Sequence, residues 1–416
     1  MAEDGHTTDT DGSVSGSRRR RVLVVIAIAE LLAMSLWFSA TAAAPELATE
    51  WGLTPNETAW LTIAVQLGFV AGALLSSFLT LSDVIRPRYL FAGSSVVGAG
   101  ATALIAGVVS SALPAIGLRF LTGMALAGVY PTGMKIMAGW FRSGRGFAIG
   151  VLVGSLTVGS ALPHLIRAVG GVGQPRVVLY GAAGLAVVGG ILALLLEPGP
   201  YQPEAAPFDP SAIGRIIRDR GTMLANGGYF GHMWELYAVW TWIPAYLIAS
   251  LSAGGIAESS EIASLLAFAT IAIGGLGAVF AGSAADRIGR TTITSASMAI
   301  SGTACIAAGF LFGASLVVLV PFVLVWGFVI VADSAQFSTC VTELAEESYV
   351  GTALTLQTAI GFLLTTISIQ LVPMVVEVVG WQWAFSFLAI GPLVGTASML
   401  RLRVLPEAAQ IAGGRR

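Results

Sequence analysis

The chain has 416 residues, of which 11% are charged and 56% hydrophobic, with a net charge of −2 and a mean hydropathy of +0.83. Soluble domains carry about 25% charged residues, so this composition excludes a water-soluble globular protein. The near-neutral balance points to no nucleic acid or other polyanionic partner. The two cysteines, Cys305 and Cys340, both in apolar stretches, leave no disulfide scaffold or Cys-rich metal site.

The chain opens with a polar stretch rich in Asp, Ser, Thr and Gly, which predicts a disordered tail over 1–20. A bilayer core about 30 Å thick needs about 20 apolar residues per helix. Windows of that length predict spans at 22–44, 58–80, 89–110, 112–136, 146–166 and 177–196. The first is too long for the apolar core of a cleavable secretory signal. Residues 197–221 follow, with Pro198, Pro200, Pro203, Pro207 and Pro210 and a short basic amphipathic piece around Ile213, Ile216 and Ile217. They read as a linker carrying a helix on the membrane surface. Six more spans are predicted at 222–249, 261–283, 293–313, 315–338, 350–373 and 381–401.

The predicted organisation is therefore a six-helix bundle over 21–196, a linker over 197–221, a second bundle over 222–403 and a tail over 404–416. The fold class is an all-α membrane protein of twelve spans. Seventeen arginines fall on the side that holds both termini, and only Arg167 and Arg176 on the other. The positive-inside rule then places both termini in the cytoplasm, with the chain in the cytoplasmic (inner) membrane.

The halves resemble each other. Glu30-Leu31-x-Ala33 with Trp37 and Ala40 recurs as Glu235-Leu236-x-Ala238 with Trp242 and Ala245, 205 residues later. Asp83 and Asp286 are 203 apart, and Gly123 and Gly327 are 204 apart. A nearly constant offset of half the chain indicates a parallel duplication of six-helix units.

The loop after span eight reads Gly282-x-x-Ala285-Asp286-Arg287-x-Gly289-Arg290, and its counterpart after span two keeps Asp83 and Arg86 but lacks both glycines. With the twelve spans and the duplication, this motif resembles the cytoplasmic gate motif of the major facilitator superfamily, and the resemblance covers essentially everything after residue 20. It implies a transporter whose bundles rock about a central site. In this family the glycines of the motif would allow close helix approach and a tight turn, and Asp286 would cluster with the arginines. Arg119-x-x-x-Gly123 is similar to the fourth-helix signature of proton-coupled members. The run from Tyr130-Pro131 through Trp140-Phe141 to Arg145-Gly146-x-Ala148-x-Gly150 resembles the branches that carry organic and inorganic anions. Leu162-Pro163-His164 stands where drug antiporters have a Gly-Pro signature, and spans two and eight lack the interior arginines of nitrate porters. The family is commonly monomeric.

Ionisable groups at lipid depth cost several kcal/mol unless paired or hydrated, so they mark where function should lie. Glu30 and Glu235 hold equivalent repeat positions on helices that line the central cavity in this family, and either could bind and release a proton. His232 sits one turn before Glu235, as in a proton relay or substrate clamp. Arg119, entering from the outer end, has an acid of span one as its expected partner, which makes Glu30–Arg119 a candidate switchable pair; permanent structural pairing is the bland alternative. Lys135 either snorkels to the interface or adds positive potential for an anion.

Asp333 and Gln336, opposite Tyr130 by the repeat offset, with Gln357, are expected to line a watery cavity. Trp37 and Trp242 are expected to wall it, and Trp240 to anchor at the membrane surface. The reading that follows is a secondary transporter of a small anionic or polar organic solute, with protons as coupling ion, the lipid bilayer as its surroundings and no cofactor. Drug efflux on the same fold is the alternative. A membrane enzyme is disfavoured, since only His6, His164 and His232 exist and no metal or phosphate motif occurs. A non-transporting sensor would need an added soluble domain.

Overall fold

The computed structural model describes residues 16–141, 145–201, 209–256 and 259–415. Arg142 and the side chains of Asp83 and Arg145 lie outside what is described. All secondary structure among the described residues is helical.

Among the described residues, eleven helices are long and apolar enough to cross a membrane: α2 (Pro55–Phe78), α3 (Pro87–Val108), α4 (Ala112–Trp140), α5 (Phe147–Gly171), α6 (Pro175–Leu194), α7 (Arg220–Ala253), α8 (Ser259–Ile288), α9 (Arg290–Phe310), α10 (Leu316–Leu344), α11 (Glu347–Val379) and α12 (Trp381–Arg403). They fall on the predicted spans two to twelve. The first predicted span is α1 (Gly16–Met34), whose four arginines and Glu30 make it too charged for that count.

Local chemistry sets the helix starts. Proline occupies the first turn of α2, α3 and α6, where its missing N–H is not needed. Thr54 and Glu57 form a reciprocal capping box at α2, with the Thr54 N–H donating to Glu57 Oε2 at 2.8 Å. Asp219 caps α7 by accepting the Thr222 N–H at 2.6 Å. Gly289 takes φ 97°, a backbone that side chains rarely adopt, and so makes the sharp turn from α8 into α9. In the first half Thr80 stands in the left-handed region at φ 46° without the help of a glycine.

The duplication is visible in the packing. Gly123 on α4 has no room for a Cβ against the Val65 carbonyl of α2, and Gly327 on α10 has none against the Thr270 carbonyl of α8. Helix α4 breaks between Leu126 and Tyr130, and α10 breaks at Asp333. The halves meet through α5 on α8 and α2 on α11, with Gly154 and Gly275 each sitting against the other's carbonyl.

One element departs from expectation. The first span was predicted unbroken over 22–44, but α1 stops at Met34, residues 35–38 turn without helix, and short helices Ser39–Ala42 and Ala44–Trp51 follow. Its repeat mate α7 runs uninterrupted for 34 residues. Of the tail predicted over 404–416, the described part to Arg415 is docked: Ala408 and Ile411 are buried, the Ala412 N–H donates to Glu343 at 3.1 Å and Arg415 to the Asp286 carbonyl at 2.6 Å.

Candidate functional site

The break in the first span and the burial of Arg119 have a single cause. Arg119 is fully buried, and its guanidinium donates to the Leu61 carbonyl at 3.0 Å, to the Leu36 carbonyl at 2.9 Å, to Ser39 Oγ at 3.2 Å and to the Trp37 carbonyl. A helix interrupted in an apolar bundle leaves carbonyls that no water can satisfy, and the planar five-donor fork of an arginine matches several of them at once. The expected Glu30–Arg119 pair is therefore not formed. The second half has Val323 at the position equivalent to Arg119, 204 residues on, and there α7 stays whole.

Glu30 is left without a partner. Its carboxylate is completely buried and neither oxygen makes a hydrogen bond among the described residues. It lies against Gly133 of α4, where a Cβ would come within 2.7 Å of Oε2. Tyr130 stands one turn before Gly133 on α4. Gln66 of α2 is likewise buried with its amide unpaired.

The facing half carries a polar set in two separate groups. His232 Nδ1 meets Asp333 Oδ1 at 2.9 Å. The Gln357 amide donates to Asn226 Oδ1 at 2.9 Å and accepts from Ser338 Oγ at 3.0 Å. The Tyr229 ring lies on Gly361, which has no room for a side chain there. Toward the arginine-rich face, Tyr130, Met134, Lys135 and Ser338 remain partly accessible.

Glu235 proves unlike Glu30 despite the repeat. Its Oε1 accepts from Ser301 Oγ at 2.6 Å, from Cys305 Sγ at 3.1 Å and from Trp326 Nε1 at 3.1 Å. All three donors belong to α9 and α10 of its own half. His232 pairs with Asp333 rather than serving Glu235. Gln336 accepts from Arg290 at 2.8 Å, and Arg290 also holds Glu343 at 3.0 Å and Asp286 at 3.2 Å. The second gate motif is thus a charge cluster tying α8, α9 and α10. Its Gly289 makes the turn, but Gly282 faces no neighbour within 4 Å and Arg287 is exposed. In the first copy, Arg86 is exposed at the start of α3.

On the far side of the polar set the halves are joined by aromatic rings. Trp37, Phe38 and Phe69 of the first half pack on Tyr237, Trp240 and Phe362 of the second, with centroids 4.8–6.2 Å apart. Trp240, expected at the membrane surface, is buried here beside Phe38. Trp242, expected to wall the cavity with Trp37, donates to the Ile369 carbonyl at 2.9 Å and packs on Trp381 within its own half. Beyond the rings, Asn56 bonds Gln370 across the halves. Arg167 pairs with Glu46 at 2.8 Å and reaches over to Ser264 of α8. Sequence reasoning passed over Phe69, Tyr229, Tyr237 and Phe362, which carry no charge and look like ordinary core.

The model of the Major Facilitator Superfamily matches residues 26–369. The chain belongs to the major facilitator superfamily. No curated protein matches it in sequence. Among solved structures, a point mutant of the nucleoside transporter NupG is similar, at 16% identity and a TM-score of 0.71, over 92% of this chain and 99% of that one. At that identity the likeness establishes the fold alone. As a member of the superfamily the chain is a multi-pass membrane transporter.

Proposed function

We propose that this chain is a secondary active transporter of a small polar organic solute, coupled to protons through Glu30. The observation that carries this reading is the Glu30 carboxylate, buried against Gly133 with no hydrogen bond among the described residues. An ionised carboxylate so placed costs several kcal/mol. Binding a proton removes that cost, and so does hydration when the site opens, so the group's state is tied to which side is open.

The solute reading rests on the lining. Asn226, Gln357 and Ser338 bond one another and would exchange those partners for a solute's donors and acceptors, with the Tyr229 ring one turn from Asn226 on α7. Arg119 is committed to backbone carbonyls and gives an anion no support. NupG is a nucleoside transporter, and a nucleoside, with its planar base and hydroxyls, suits such a mixed lining. Ligand-dependent thermal stabilisation across nucleosides, sugars and organic acids tests this. A shift with nucleosides that grows with concentration as mass action requires is expected, and a shift with organic acids alone overturns it.

Alternating access predicts that the far-face contacts must separate in each cycle. Bridging Asn56→Cys and Gln370→Cys with a short reducible bifunctional thiol cross-linker should reduce uptake at least about tenfold, with recovery on reduction. The native Cys305 and Cys340 are buried and unpaired. Full transport by the cross-linked double variant would contradict the rocking motion.

A further inference from the structure

We infer that a groove on the membrane-facing side of the first bundle, between α3 and α4, binds an anionic phospholipid. The groove measures about 350 Å³ and is lined by Ile85, Tyr89, Gly93, Val97, Leu121 and Met124, among others. Its walls are apolar and open to the surroundings: Tyr89 and Val97 are 49% exposed. From Tyr89 to Val97 it follows α3 for about 12 Å at 1.5 Å per residue, from the arginine-rich end toward the middle of the bundle.

The charge at its mouth selects the occupant. Arg86 precedes the groove residue Tyr89 by three positions, is exposed and has no ion pair among the described residues. The Arg88 guanidinium lies 4.8 Å from the Tyr89 ring centroid and donates to the Tyr89 hydroxyl at 3.1 Å, while its Nε is buried without a partner. Both arginines stand at the N-terminus of a 22-residue helix, whose dipole favours an anion. An apolar slot that ends in two guanidiniums and a helix start fits a phosphate headgroup with its acyl chain laid along α3. Basic sites at the cytoplasmic end of membrane helices recruit anionic lipids through the same attraction, worth a few-fold per arginine. This assignment is independent of the transported solute.

The test is native mass spectrometry of the full chain in detergent with equal amounts of phosphatidylglycerol and phosphatidylcholine. Retention of phosphatidylglycerol over phosphatidylcholine by about tenfold is expected from two arginines. Arg86→Gln with Arg88→Gln should bring the ratio to near one. Gly93→Phe should lower retention of both lipids; a Cβ at Gly93 meets nothing within 4 Å, so this variant fills the groove without disturbing the bundle. Equal retention of the two lipids by the wild type overturns the proposal. So does an unchanged ratio in the arginine variant, retention unaffected by Gly93→Phe, or displacement of the lipid by millimolar inorganic phosphate, which would mark an ion site only.

Discussion

Glu30→Gln should abolish gradient-driven transport while leaving exchange intact. With a gradient of about two pH units, coupling to one proton sustains a solute gradient of about 100-fold. The variant should end at a ratio near one, because a glutamine keeps the size and the polar atoms but cannot release a proton. Counterflow of labelled against unlabelled nucleoside, which needs no net proton movement, should stay within about threefold of wild type. Glu235→Gln is the matched comparison. Its amide oxygen can still accept from Ser301, Cys305 and Trp326, so proteoliposome uptake should keep its response to the gradient. Loss of coupling in Glu235→Gln with retention in Glu30→Gln would reverse the assignment of the proton to the first half.

The second large effect concerns the fold. Arg119→Met removes the donors that satisfy the Leu36, Trp37 and Leu61 carbonyls. Each orphaned buried acceptor costs about 1–3 kcal/mol, so the variant should lose several kcal/mol and accumulate poorly in the membrane. Arg119→Lys keeps a charge but only three donors around a point, which cannot reach acceptors spread over α2 and the broken first span. It should fall between the two, as read by thermal unfolding of purified protein in detergent. Wild-type stability for Arg119→Met would mean that the interruption at 35–38 holds without the arginine.

The architecture was legible because it is written in composition. Apolar windows of about 20 residues and the offset near 204 follow from bilayer thickness and duplication, and each predicted span from the second onward has its helix. The break after Met34 was hidden, since Ser35 to Phe38 are as apolar as their neighbours and the cause sits 80 residues away in Arg119. Repeat logic misled at the glutamates. Equivalent positions suggested equivalent roles, but Ser301, Cys305 and Trp326 have Val97, Ala101 and Thr122 as their counterparts 204 residues earlier. Only one of the two acids has a built nest of donors. The aromatic contact between the halves was invisible for a further reason: a ring that joins two bundles and a ring that fills one core have the same chemistry and helical spacing.

The most direct measurement records lumenal pH in vesicles loaded with a pH-sensitive dye, with no gradient imposed, as a nucleoside gradient is applied. The wild type should drive a pH change that scales with the solute gradient, and Glu30→Gln should give none while still exchanging label. A wild-type-sized pH change in Glu30→Gln would contradict the account, as would solute movement through the wild type with no proton movement at all.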